Sequence, residues 1–517
     1  MADWLSKEFF KGLGDCVDDI GWLSSLATDR TINSAVGSTR TRPHPWSTFS
    51  DYTSWQGLTD RTYLARHLPP AAQPADLPTP DDVQALFKRP SATQLLSKKS
   101  TCLFPTFAQY LTDGFILTDG NDPRKTTSNH EIDLCPLYGR LPTQTAVLRL
   151  NGSDRGKRGR MKSQVLNGEE YAPFLYNADG TLTDPSFTAL DPPLFGRGAP
   201  PPPPPERLVT LFAFGGDRAN STPFSAMMNT LLLREHNRVA GTLEHDNPDW
   251  DDERVFQTAR NILIPIFINI VVEQYINHIT PLPFRLIADP SVAWSADWNR
   301  PNWMTVEFSL LYRWHSLMPD QIAWPGDDIP LGAFGLDNRP LLRVGLDAAF
   351  SAAAAQTAAE IGAFNTADAL LPLEEHAVLQ ARYNRVAPYN SYRAAFGMDP
   401  AESFDDISTH PEVVDLLKAL YGSPDRVEFY AGLFAEDRVA NSPLPELLMR
   451  MVAVDAFSQA LTNPLLSEHV FNPTTFTASG FELIHDTHAL GDILARNVPH
   501  RGAQAIIMTQ ADWEYSP

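Results

Sequence analysis

The sequence predicts a mainly α protein, and three stretches carry that expectation. Residues 305–320, TVEFSLLYRWHSLMPD, place apolar side chains on nearly every turn and end at Pro319, whose ring pushes the preceding residue out of the α region. They predict one buried helix. Residues 250–276, WDDERVFQTARNILIPIFINIVVEQYI, open on an acidic first turn and continue as a long apolar helix. Residues 348–363 are rich in Ala and predict a further helix before a loop.

The remaining elements follow along the chain. Residues 1–38 carry Trp4, Leu5, Phe9, Phe10, Leu13, Val17, Ile20, Trp22 and Leu23 at partly helical spacing. They read either as an amphipathic arm packed on the main body or as a shallow membrane mount, the latter weakened by the scarcity of Lys and Arg. Residues 39–70 are turn-rich and aromatic and predict an irregular arm; residues 71–82 predict an exposed loop and residues 83–87 a short helix. Residues 104–115, FPTFAQYLTDGF, place Gln109 and Asp113 four apart on one helical face. Residues 144–175 suggest a hairpin-like excursion with a basic loop at 155–162, and Pro200 to Pro205 a stiff, extended spacer inside one domain.

Composition narrows the function. The 517 residues hold 41 Lys plus Arg against 62 Asp plus Glu, a net charge of −21. Such an acidic chain argues against a nucleic-acid partner, because phosphate binding needs a basic face. Cys16, Cys102 and Cys135 form no CxxC pair and no regular spacing, so neither a disulfide framework nor a zinc site is signalled, and a reducing cytoplasm is the expected compartment. The N-terminal residues lack a secretory pattern. The apolar run at 262–272 is interrupted by Pro265 and Asn269 and reads as a buried helix too short to span a bilayer. Length alone suggests two to four domains.

The chemistry concentrates in residues 305–320. On one helix Tyr312 and His315 would be three residues apart and share a face. A lone buried His is often a core residue bonded to a carbonyl, and a Tyr beside it is often packing with a satisfied hydroxyl. Spacing therefore leaves a structural and a functional reading open.

These words resemble a known family. Glu307-Phe308 with 311–320, LYRWHSLMPD, resembles the haem-ligand helix of the cyclooxygenase and α-dioxygenase branch of the animal-type haem peroxidases. So do the FPTFAQYLTDGF stretch, the FGGDRAN turn at 214–220 and the LREHNR helix at 233–238, all in the family's order. The resemblance implies a single large helical catalytic domain over residues 39–517, with residues 1–38 as an arm. It implies non-covalent haem b, with His315 as proximal iron ligand and Tyr312 as the radical that takes hydrogen from a fatty acid. Neutral imidazole suits the first role. Ser221 stands where ester-linked relatives carry an acid, which argues against covalent haem. The motifs neither call for nor exclude calcium.

On the distal side the resemblance carries a departure. Gln109 matches the Gln of the family's Gln-x-x-x-His, but the His position is Asp113. Peroxide cleavage needs a group that takes and returns a proton, and a carboxylate does this poorly at neutral pH unless burial raises its pKa. Arg218 matches the turn Arg that steadies negative charge on bound oxygen. Phe457 and Ser458 match a pair that lines the substrate channel in cyclooxygenases. His236 and His130 read as structural.

The expected activity is a haem-dependent dioxygenase that uses a tyrosyl radical on a fatty acid or similar lipid and adds O2 to give a hydroperoxide. The alternative is a peroxygenase or peroxidase that uses Asp113 and Arg218 on hydrogen peroxide with a different organic substrate. A third reading is a non-enzymatic haem binder. The expected location is cytoplasmic, with weak peripheral membrane contact through the N-terminal helix; no pattern bears on oligomeric state.

Overall fold

A computed structural model describes residues 12, 14–38, 46–49, 52–194, 203–498, 502 and 504–516. Helices dominate it, as expected, and strands occur as short antiparallel pairs among the described residues. The helices that position the site are α1 (Gly21–Gly37), α2 (Leu103–Asp113), α3 (Pro223–Asp246), α4 (Asp252–Ile270), α5 (Val306–Leu311), α6 (Leu371–Tyr383), α7 (Phe429–Ala435) and α8 (Glu446–Leu461).

Local chemistry sets the ends of the central helices. Thr222 accepts from the Ser225 N–H, with Pro223 in the first turn, and starts α3. Asp251 caps α4 through the Arg254 N–H, and Asp252 and Glu253 add negative charge at its N-terminus. The α4 helix does not stop at the interruptions in its sequence. It carries Pro265 inside it, passes into a π-helical segment at Val271–Ile276 and ends with Asn277–Ile279. The 28-residue rod is long and apolar enough to cross a membrane by length and composition, which corrects the expectation that it is too short, but 78% of its apolar window is buried inside the fold. It is a core helix, packed against α3, while α2 also packs on α3.

Three other expectations change in detail. The short helix expected at 83–87 lies at Pro80–Gln84, because Thr79 and Asp82 form a reciprocal cap and Pro80 fits the first turn. The Ala-rich helix runs Leu346–Ala355 and gives way to a strand at Thr357–Ala359, which pairs with Leu96–Thr101. The excursion does contain a hairpin, Gln164–Leu166 with Glu169–Tyr171, but its basic loop is tied down: Arg158 donates to the Pro248 and Trp250 carbonyls and Lys162 pairs with Asp184 at 2.8 Å. Residues 200–202 of the proline run lie outside the described residues, and Pro205 opens a short helix, Pro205–Leu208.

Residues 1–11 and 13 of the expected arm lie outside the described residues. The α1 helix buries Ser24, Thr28, Ile32 and Val36 and packs on α8, and Asn33 accepts from the Trp298 indole at 2.8 Å. Ile20, Trp22 and Leu26 stay exposed.

Candidate active site

The helix expected over 305–319 ends early. Thr305 caps α5 through the Phe308 N–H, and the α conformation stops at Leu311. Tyr312 has φ −96° and ψ 24°, Trp314 has φ −87° and ψ 46°, and a 3-10 turn follows at His315–Leu317. Tyr312 and His315 are therefore not one helical turn apart on a common face. The cause lies in Arg313. In a continuing helix its backbone N–H would bond the Ser309 carbonyl; instead its side-chain Nε takes that carbonyl at 2.9 Å, and the backbone N–H shifts to Leu310. The Arg313 guanidinium is also held by the Gln380 amide oxygen at 3.1 Å.

The break turns three polar atoms inward. Tyr312 stacks on Trp314 with ring centroids 4.8 Å apart, and Phe308 packs on Tyr312 at 4.5 Å. Phe104, from the start of α2, also stacks on Trp314 at 5.4 Å. The Tyr312 hydroxyl, the Trp314 indole N–H and His315 Nδ1 are buried without a hydrogen-bond partner. Burial raises the proton affinity of Tyr312, Tyr275 opposes that effect, and the Asp455 carboxylate adds to it. Tyr275, on the π-helical segment, also has an unpaired buried hydroxyl, so the two phenols influence each other without an aligned hydrogen bond. Insertions of this kind in a helix often mark functional sites.

His315 sits beside a carboxylate. Its Nδ1 lies 3.2 Å from Glu374 Oε1, and Glu374 is buried on α6. The distance suits a hydrogen bond, but the ring is turned so that no aligned bond forms. Nε2 has no protein partner among the described residues. Glu374 is anchored by Thr366, which donates to Oε1 at 2.9 Å, and by the Tyr430 hydroxyl, which donates to Oε2.

The distal candidates also meet. Gln109 and Asp113 lie on α2 as their spacing predicts, and Gln109 Nε2 donates to the Ser221 hydroxyl at 2.9 Å. Arg218 Nη1 lies 3.9 Å from Asp113 Oδ1 and donates to the Ile116 carbonyl at 2.5 Å. Asp113 Oδ2 is buried and unpaired. Burial pushes the Asp113 pKa up to about 8 against the opposing pull of Arg218. The condition set by the sequence, that a carboxylate in this position needs burial to work near neutral pH, is met.

Phe457 and Ser458 lie in the last turn or so of α8 and are buried. The Ser458 hydroxyl bonds back to the Val454 and Asp455 carbonyls at 2.7 and 3.0 Å, a common habit of helical Ser. Three residues before Ser458, Asp455 Oδ1 meets His67 Nε2 at 3.0 Å, with both side chains 1% exposed. Its other oxygen lies 3.4 Å from the Thr305 hydroxyl that caps α5, so α8 presents a carboxylate to the helix that ends in Tyr312.

His236 is structural as expected: it accepts from the Tyr138 hydroxyl and contacts the Gly159 carbonyl, both at 2.8 Å. His130 is likewise held by structural contacts: it is buried and joins the Arg61 carbonyl to the Met304 N–H. Sequence reasoning missed Tyr275, Glu374 and the His67–Asp455 pair. Tyr275 is hidden in an apolar run, and the others carry no local motif.

The helical core thus carries a histidine whose Nε2 is unpartnered among the described residues, a phenol three residues before it, and, on α2, a buried carboxyl beside an arginine. The comparisons give the family. The Animal haem peroxidase signature matches residues 117–508, and the chain belongs to that family. Prostaglandin G/H synthase 2 of Bos taurus is 30% identical over 505 residues, 95% of this chain and 79% of that protein. Prostaglandin G/H synthase 1 of Mus musculus is 32% identical over 459 residues, 86% of this chain and 72% of that protein. Among solved structures, the fatty acid alpha-dioxygenase of Oryza sativa superposes with a TM-score of 0.70 at 15% identity, covering 96% of this chain and 97% of that one. Peroxidase A of Dictyostelium discoideum gives 0.69 at 19% identity, covering 90% and 98%.

The residues present fit the haem that this family implies. The Tyr312 hydroxyl and the Trp314 indole N–H, on the segment that leads to His315, are buried polar atoms without a hydrogen-bond partner, which suits a segment that packs against a bound group. His315 would hold the iron through Nε2. Among the described residues no group of three or more His, Cys, Asp and Glu is arranged to bind a further metal ion such as calcium.

Proposed function

We propose that this chain is a haem-dependent dioxygenase that forms a radical on Tyr312 and uses it to oxygenate a fatty acid. The observation that carries the reading is the Tyr312 phenol: buried, unpaired and stacked on Trp314 three residues before His315. A tyrosine kept for packing normally finds a partner for its hydroxyl. Bound haem would supply one-electron oxidising power. Tyr312 would then lose its phenolic proton and an electron and become a phenoxyl radical.

The remaining chemistry is the chain's own. The phenoxyl oxygen takes a hydrogen atom from a substrate C–H, O2 adds to the carbon radical, and the peroxyl radical recovers the hydrogen from Tyr312 as the hydroperoxide is released. The sum is substrate plus O2 to hydroperoxide, with Tyr312 restored. The aromatic rings packed on it, Phe308 and Trp314, would exclude water and leave the phenol oxygen facing the substrate C–H. The relatives support a fatty acid: two are prostaglandin synthases, and a variant of the Oryza sativa fatty acid alpha-dioxygenase was solved with palmitic acid. The test is oxygen uptake by the haem-loaded protein with a panel of fatty acids and no added peroxide. Tyr312→Phe is expected to abolish uptake while keeping the haem spectrum; uptake at the wild-type rate would rule the mechanism out.

Asp113 favours a second reading. A buried carboxyl poised near pH 8 beside Arg218 suits proton transfer to and from bound peroxide. In that case activity depends on hydrogen peroxide, survives Tyr312→Phe and collapses in Asp113→Asn.

A further inference from the structure

The contact between His315 and Glu374 has no role in the radical chemistry, yet it is heavily built. Four segments converge on it: the 3-10 turn of His315, the loop of Thr366, α6 with Glu374 and α7 with Tyr430. Glu374 is 1% exposed. Burying a carboxylate is costly, and Thr366 and Tyr430 donate to its two oxygens separately, so both oxygens serve as acceptors. What a carboxylate adds is a stronger hold on an imidazole N–H. The buried Arg313 guanidinium lies within electrostatic reach of Glu374.

We propose that Glu374 is a positioning residue that binds His315 through Nδ1–H, fixes the tautomer with the lone pair on Nε2 and makes the imidazole a more strongly electron-releasing iron ligand. The inference rests on the reading of His315 as the haem ligand. Partners of this kind orient metal-bound histidines and raise their basicity. The 3.2 Å contact is within hydrogen-bond distance and is not aligned in the structure; the bond requires the ring to reorient until Nδ1–H points at Oε1. The two hydroxyls act in the opposite sense: each bond that Thr366 or Tyr430 donates to the carboxylate draws charge away from His315. The site therefore has a graded setting of ligand strength, one carboxylate balanced by two donors.

The test uses the full-length chain loaded with haem and two measurements that do not depend on turnover, the ferric/ferrous reduction potential and the iron–histidine stretching frequency of the ferrous form. Glu374→Gln is expected to move the potential to more positive values and to lower the stretching frequency. Tyr430→Phe, which leaves the carboxylate in place, is expected to move both in the opposite direction. A structural role for Glu374 would produce no such opposed pair. Unchanged potential and frequency in Glu374→Gln with haem bound would overturn the proposal; if that variant fails to fold, an unchanged pair in Tyr430→Phe would do so. His315→Ala separates the underlying reading: loss of the iron–histidine band supports His315 as ligand, and its persistence would overturn that reading and the proposal with it.

Discussion

At Asp113 the carboxyl is cut off from water near the end of α2, and its proton affinity rises until it titrates at about pH 8, well above the ordinary Asp value. Two consequences follow from the sign of that shift. The unfolded chain releases the proton at lower pH than the folded one, so the stability associated with Asp113 is full below about pH 4 and is lost as pH rises toward 8, by ~1.4 kcal/mol per pH unit. In haem-free protein, Asp113→Asn should melt at the wild-type temperature near pH 4 and at a higher temperature at pH 7, a difference that thermal denaturation at the two pH values measures. The ionised form, which alone accepts a proton from peroxide, grows as pH rises through 8. Any hydrogen peroxide-dependent rate should therefore climb across that range, and the climb should be absent in Asp113→Asn. At this scale the sequence was informative in part: Gln109 and Asp113 share a face of α2 by their four-residue spacing, whereas their meeting with Ser221 and Arg218 is a tertiary contact between distant segments. The size of the pKa shift was not legible, because burial is made by residues distant in the chain.

The end of α5 shows what a local pattern misses. Residues 305–319 have helical periodicity, and Tyr312 and His315 were identifiable by type, yet the chain leaves the helix between them. The competitor is one side chain: Arg313 can reach the Ser309 carbonyl only because Gln380 on α6 steadies its guanidinium. That partner is 67 positions away, beyond any periodicity. Lysine cannot reproduce the fork, so Arg313→Lys should destabilise the protein by about 1–3 kcal/mol, read as a lower melting temperature. It should also let the helix continue toward His315 and reduce oxygenation more than haem binding, which substrate kinetics and a haem titration would separate. The α4 rod makes the converse point. Its cap and apolar length were plain in the sequence, whereas the π-helical turn that brings Tyr275 toward Tyr312 follows from packing alone.

Across the whole molecule the site is joined by pairs far apart in the chain. His67 meets Asp455 across 388 positions, and Thr101 meets the Ile507 carbonyl across 406. The class of fold was legible from helical periodicity and ordered motifs, but these closures were not, since a lone His in a turn-rich arm and a lone Asp on an apolar helix show no mutual signal. Removing one member leaves the other buried without it. His67→Ala should lower stability by about 3 kcal/mol, and Asp455→Asn, which keeps a hydrogen-bonding oxygen, by less; chemical denaturation of the two variants would rank them. These long closures bear on how the molecule is made. Contacts between distant segments form only after large loops have closed, which slows folding. Tyr312 packs on Phe308 and Trp314 and lies within electrostatic reach of Asp455 on α8, so its surroundings should take shape among the last events of folding, and haem added during refolding should bind only once the protein is nearly finished.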